Sequence, residues 1–138
     1  MRASRLLAAA ILAIAASPAS AEMMSYKAKL SSAAEVPPND SKATGDIQAT
    51  FDTATRKLSW KGDYKGLSGP VTAAHFHGPA APGANAPPVV TVKIDKSPFS
   101  GEATLTQAQA ADLAKGDWYF NVHTEKNKGG EIRGQMMK

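Results

Sequence analysis

The chain has 138 residues, with 16 Lys and Arg against 12 Asp and Glu, three histidines and no cysteine. That length fits one small domain, and the missing thiols exclude zinc–thiolate sites, cysteine nucleophiles, blue-copper thiolate centres and disulfide staples. Lys27, Lys29, Lys42, Lys57, Lys61, Lys65 and Lys93 are scattered, with no basic block interleaved with aromatics. This argues against a nucleic-acid partner and fits the solvent side of half-exposed strands.

Arg2 and Arg5, the apolar run Leu6 to Ala16, and Ala19-Ser20-Ala21 have the layout of a secretory signal peptide. Residues 1–21 are therefore expected to be removed, leaving residues 22–138 as a single exported domain, periplasmic or secreted. Losing Arg2 and Arg5 lowers the formal charge from +4 to +2. No later segment is long and apolar enough for a spanning helix.

The rest of the chain reads as β-structure with one helix. Tyr26–Ser32 alternates apolar and polar residues, Val36-Pro37-Pro38-Asn39-Asp40 interrupts it, and residues 44–66 form a hairpin turning at Asp52-Thr53-Ala54-Thr55. Val71–His77 is the next strand. A long Gly/Pro/Ala loop, Gly78 to Pro88, separates it from the β-branched run Val89–Ile94, and a short strand is expected at Ser100–Leu105. Thr106 followed by Gln109 is a capping box for a helix over Thr106–Lys115, and Gly116 is its stop. Trp118–Thr124 alternates again, Glu125–Gly130 is a polar turn, and Glu131–Met136 is the last strand. About eight short strands and one short helix predict an all-β, antiparallel, Greek-key-like β-sandwich. Trp60, Trp118, Phe51, Phe120, Leu58, Ile94 and Val122 are its expected core.

Two of the histidines form His75-Phe76-His77. Residues two apart on a strand share a face, so both imidazoles point one way and Phe76 points the other. On the later strand, His123 shares a face with Tyr119 and Asn121 and lies opposite Trp118, Phe120 and Val122. If the two strands meet, three neutral nitrogen donors converge. Imidazole donors with an open position suit copper, with zinc as the alternative, and the Irving–Williams order favours copper. A fourth ligand would come from Glu131, Glu125, Asn85 or water. Met23, Met24, Met136 and Met137, paired at the two ends of the exported chain, would add thioether affinity for Cu(I). Asn121 and Arg133 are expected to orient the ligands from outside the coordination sphere. No catalytic triad and no Gly-rich phosphate loop is evident.

These segments also carry a resemblance. Ala34-Glu35-Val36-Pro37-Pro38, Ala74-His75-Phe76-His77-Gly78-Pro79-Ala80, Pro88-Val89-Val90, Leu105-Thr106, Tyr119-Phe120-Asn121-Val122-His123-Thr124 and Gly129-Gly130-Glu131-Ile132-Arg133-Gly134-Gln135 resemble, in that order, the CHRD domain family, named for chordin. The resemblance covers nearly all of residues 22–138 and implies an extracytoplasmic β-sandwich. A looser likeness to copper/zinc superoxide dismutase lies in the His-x-His strand and later histidine, but no histidine remains for a zinc site or a bridge. Three readings follow: an exported copper-binding protein for copper handling or buffering, a copper-dependent redox enzyme, or a metal-free module that binds another protein.

Overall fold

The computed structural model describes residues 10–13 and 21–138. Most of the expected signal peptide, including Ala19 and Ser20 of its cleavage motif, lies outside the described residues. Among the described residues no helix is long and apolar enough to cross a membrane.

Among the described residues eight strands and one α-helix follow the order β1 (Met23–Ser31), β2 (Thr44–Asp52), β3 (Lys57–Lys65), β4 (Val71–His77), β5 (Pro88–Thr91), β6 (Phe99–Thr104), α1 (Gln107–Ala114), β7 (Tyr119–Thr124) and β8 (Ile132–Gln135). All pairings are antiparallel, in one nearly closed sheet ordered β5-β4-β7-β8-β1-β2-β3-β6. The sheet folds over at the β8–β1 seam, where pairing thins to Ser31 against Arg133 and an isolated bridge between Lys27 and Met137. Gly134 permits that approach, because a side chain there would collide with the Lys29 carbonyl. The halves β5-β4-β7-β8 and β1-β2-β3-β6 thus face each other as the two layers of a sandwich. Trp60 of β3 packs edge-on against Phe76 of β4 at 5.3 Å, and Phe99 of β6 stacks on Phe120 of β7 at 5.9 Å. Steps from β3 to β4 and from β5 to β6 cross between the layers, which gives the chain its Greek-key-like course.

Period-two patterning explains this closely. In β1, Tyr26, Ala28 and Leu30 are buried while Ser25, Lys27 and Lys29 are exposed, and β2 buries Ile47, Ala49 and Phe51 in the same way. The β2–β3 hairpin pairs from Thr44–Lys65 to Asp52–Lys57. Thr106 caps α1 through Gln109, with the reciprocal bond from the Gln109 side chain, and Gly116 follows the helix at φ +81°.

Of the expected core, Phe51, Leu58, Trp60, Trp118, Phe120 and Val122 are buried, whereas Ile94 is only half-buried. The strand expected over Val89–Ile94 ends at Thr91. Val92 still donates its N–H to the Ala74 carbonyl at 2.9 Å and takes the core position. Beyond it the chain leaves the sheet edge, carrying Ile94 with it.

Candidate functional site

Strands β4 and β7 lie side by side, with His75 opposite Asn121, His77 opposite Tyr119 and Ala73 opposite His123. This register puts five polar or aromatic side chains on the outward face: His75 and His77 from β4, and Tyr119, Asn121 and His123 from β7. That face is not open. Tyr119 and Asn121 are buried and His77 is only 7% exposed.

The covering comes from the Gly78–Pro88 loop and from the segment after β1. Ala80 N–H bonds the Asp117 carbonyl at 2.8 Å, and Gln135 Nε2 donates to the carbonyls of Ala80 and Gly116. Arg133 reaches the same loop through Asn85 Oδ1 at 2.9 Å and the Ala84 carbonyl at 2.6 Å, while Asn85 Nδ2 donates to the Val36 carbonyl. Arg133 also lies 3.5 Å from the ring centre of Tyr119, and Tyr119 stacks on His77 at 4.6 Å with planes 5° apart. Arg133 therefore acts on the histidines through Tyr119 and through its positive field.

The three imidazoles meet. A nitrogen from each of His75, His77 and His123 falls within 4.8 Å of the others, and His75 Nδ1 is 3.3 Å from His123 Nε2. Backbone carbonyls fix two tautomers. His123 Nδ1–H donates to Lys128 and His77 Nδ1–H to Ala86, each at 2.8 Å. That leaves the Nε2 lone pairs of both rings for other work. With its proton on Nδ1, His123 offers Nε2 as acceptor to His75 Nδ1–H. His77 Nε2 is held by the Asn121 amide at 2.8 Å.

Burial lowers the pKa of His75, and the neighbouring rings of His123 and His77 lower it further. Burial also lowers that of His77, and this outweighs its bonds to Ala86 and Asn121, with His123 and Arg133 adding to the decrease. Both rings are thus biased towards the neutral form that ligates metals.

The geometry fits a small cation in part. Metal–nitrogen bonds of 2.0–2.1 Å in a tetrahedron separate ligand nitrogens by about 3.3–3.4 Å. The His75–His123 spacing of 3.3 Å meets that value, while a spread of up to 4.8 Å requires the third ring to swing inward.

The remaining expected donors are placed elsewhere. Glu131 is fully buried, and its oxygens accept bonds from the Ser68 N–H and hydroxyl, Ser41, Thr124 and Asn127. It ties three loops together and does not belong to the histidine cluster. Burial alone would raise its pKa, but the bonds from Ser68, Ser41 and Thr124 bring it down to about 2. Met136 is packed in the core, Met24 is half-buried, and Met23, in β1, and Met137, just after β8 and bridged to Lys27, are exposed. Glu125 is exposed, and Asn85 is engaged by Arg133.

Sequence reasoning missed Glu35. It is only 5% exposed, its Oε1 has no hydrogen-bond partner, and burial raises its pKa to about 7, against the pull of the Asn121 amide and Arg133. A Cβ on Gly130 would come within 2.5 Å of Glu35 Oε1 and 2.7 Å of Asn121 Nδ2, so both side chains converge over that glycine. The signal was present only as a lone acid before Val36-Pro37-Pro38.

The profile of the CHRD domain family matches residues 26–136, nearly the whole described chain. No curated protein and no solved structure matches the chain significantly.

Proposed function

The chain belongs to the CHRD domain family, whose members occur in extracellular or secreted proteins, and from that premise we propose that it is an exported copper-binding protein that handles or buffers the metal. Its ligands are His75, His77 and His123. Residues 1–21 are its export signal, and the periplasm is its compartment where the cell has one. The observation that carries the reading is the convergence of three imidazole nitrogens within 4.8 Å from two adjacent strands, on a face otherwise sealed by loops. A donor set of neutral imidazoles, with no thiolate in the chain, suits copper, and zinc is the competitor.

Titration of Cu(II), Cu(I) and Zn(II) into the protein and its His75→Ala and His123→Ala variants tests this. One equivalent of copper is expected to bind more tightly than zinc, and each substitution is expected to weaken it. Stoichiometric binding that survives both substitutions removes the site.

One observation favours a second reading, a metal-free binding module. His77 and His123 are each bonded at both ring nitrogens, so the rings already tie the Gly78–Pro88 loop and the β7–β8 turn to the sheet. In that case copper leaves the thermal midpoint unchanged. Binding at a hundredfold excess over Kd would add about 2.7 kcal/mol.

A further inference from the structure

The outer face of the other layer, β1-β2-β3-β6, carries an open groove of about 730 Å³. Register places Lys27, Gln48 and Lys61 in one cross-strand row, with Thr50 and Ser59 in the next, and Lys138 closes one side. Adjacent strands lie about 4.8 Å apart, so Lys27 and Lys61, with Gln48 between them, are roughly 10 Å apart at the backbone.

No carboxylate side chain lines this groove. Of the acids on the same face, Asp46 pairs with Lys29 at 3.5 Å and Glu102 with Lys57 at 3.7 Å, while Asp52, and Asp63 two residues beyond Lys61, form no ion pair. Among the described residues those are the ion pairs formed, so Lys27 and Lys61 stand outside any ion pair, and Lys138 adds a third ammonium at the groove's edge.

We propose that this groove binds an acidic polysaccharide bearing carboxylate groups. Ammonium groups are compact partners for a regularly spaced anion, and the hydroxyl and amide side chains between them both donate and accept, as sugar hydroxyls require. The floor is formed by the central strands β2 and β3, whose backbones are paired on both edges, so a peptide cannot add there as a strand. The aromatic lining residues Tyr26 and Trp60 turn their rings into the core, so nucleobases find no stacking platform and a bilayer finds no apolar anchor. The groove lies on the layer opposite the histidines and is independent of the metal reading.

Calorimetric titration of the protein, in chelator to exclude metal, with polygalacturonate, dextran sulfate, neutral dextran and phosphatidylglycerol vesicles tests the proposal. Polygalacturonate is expected to bind, to weaken as salt rises, and to lose at least tenfold affinity in Lys27→Gln/Lys61→Gln. A control with the same charge change elsewhere, Lys93→Gln/Lys96→Gln, is expected to keep it. Neutral dextran and vesicles are expected not to bind. No binding of polygalacturonate, tighter binding of dextran sulfate, binding of vesicles or neutral dextran, or equal losses in the two double variants would overturn the proposal.

Discussion

Asn121 gives the sharpest test of the metal site, because its effect has a definite sign. An outer partner of a metal-bound histidine ordinarily holds the nitrogen that does not coordinate, and removing it weakens binding. Here that role on His77 belongs to the Ala86 carbonyl, at 2.8 Å from Nδ1. Asn121 instead holds Nε2, the nitrogen a metal would need, also at 2.8 Å. Metal must therefore break this bond before the third ring closes on the His75–His123 pair. A net hydrogen bond is worth about 0.5–1.5 kcal/mol, so Asn121→Ala should tighten copper binding by about 2- to 10-fold. Competition titration against a chromophoric chelator measures this at pH 5.5, where Glu35 is protonated and does not accept from the released Asn121 amide. The His77→Ala/Asn121→Ala pair completes the cycle, because the gain must vanish once the ring is gone. Weaker binding in Asn121→Ala, or an equal gain without His77, refutes the latch.

Glu131 has a folded pKa of about 2 against an ordinary 4.5, so its ionised form stabilises the fold by about 3 kcal/mol. The depressed value means this stability is complete above pH 4.5 and is lost as pH falls towards 2. Glu131→Gln should be less stable at pH 7, and the gap should close on acidification; parallel urea stability curves for the two proteins would sink the assignment. Glu35 runs the other way. Its carboxyl is raised to about 7, so its contribution is intact below pH 4.5 and falls as pH climbs to 7, at a cost of about 3 kcal/mol beyond that. Glu35→Gln should therefore gain stability relative to wild type at pH 8 but not at pH 4.5, read from urea midpoints. Gly130→Ala should cost about 1–3 kcal/mol, since its φ of +123° and the Glu35 and Asn121 side chains leave no room for a methyl group. An unchanged thermal midpoint would contradict that packing.

Strand alternation made much of the site legible. Two histidines separated by one residue must share a face, and His123 must oppose Phe120 and Val122, whatever the fold. Alternation cannot tell which strands become neighbours; the β4–β7 register depends on a crossover through β5, β6 and α1. Glu131 shows the limit more clearly. As a carboxylate in a polar stretch it read as a metal donor, yet its partners Ser41 and Ser68 come from loops that no periodicity links to it. Met136 read as a thioether donor at a chain end, but its N–H bonds the Trp118 carbonyl and its side chain fills the core.

Proton positions join Glu35 to the same site. Ala86 offers only a carbonyl, so His77 Nδ1 must donate. If Asn121 Oδ1 faces Nε2, the ring has to be an imidazolium, which burial opposes. A neutral ring instead accepts a hydrogen bond at Nε2 from Asn121 Nδ2–H, and Oδ1 then turns towards Glu35. That arrangement is complete when Glu35 is protonated and able to donate, as its pKa of about 7 permits. A metal on His77 Nε2 changes the balance. It frees Asn121 Nδ2 to donate to an ionised Glu35, so copper binding near pH 6.5 should release a proton from that carboxyl. Calorimetric titrations in buffers of different ionisation enthalpy count released protons directly. Wild type should release more than Glu35→Gln at pH 6.5 and the same number at pH 8.5; equal counts at both values would disconnect Glu35 from the histidines.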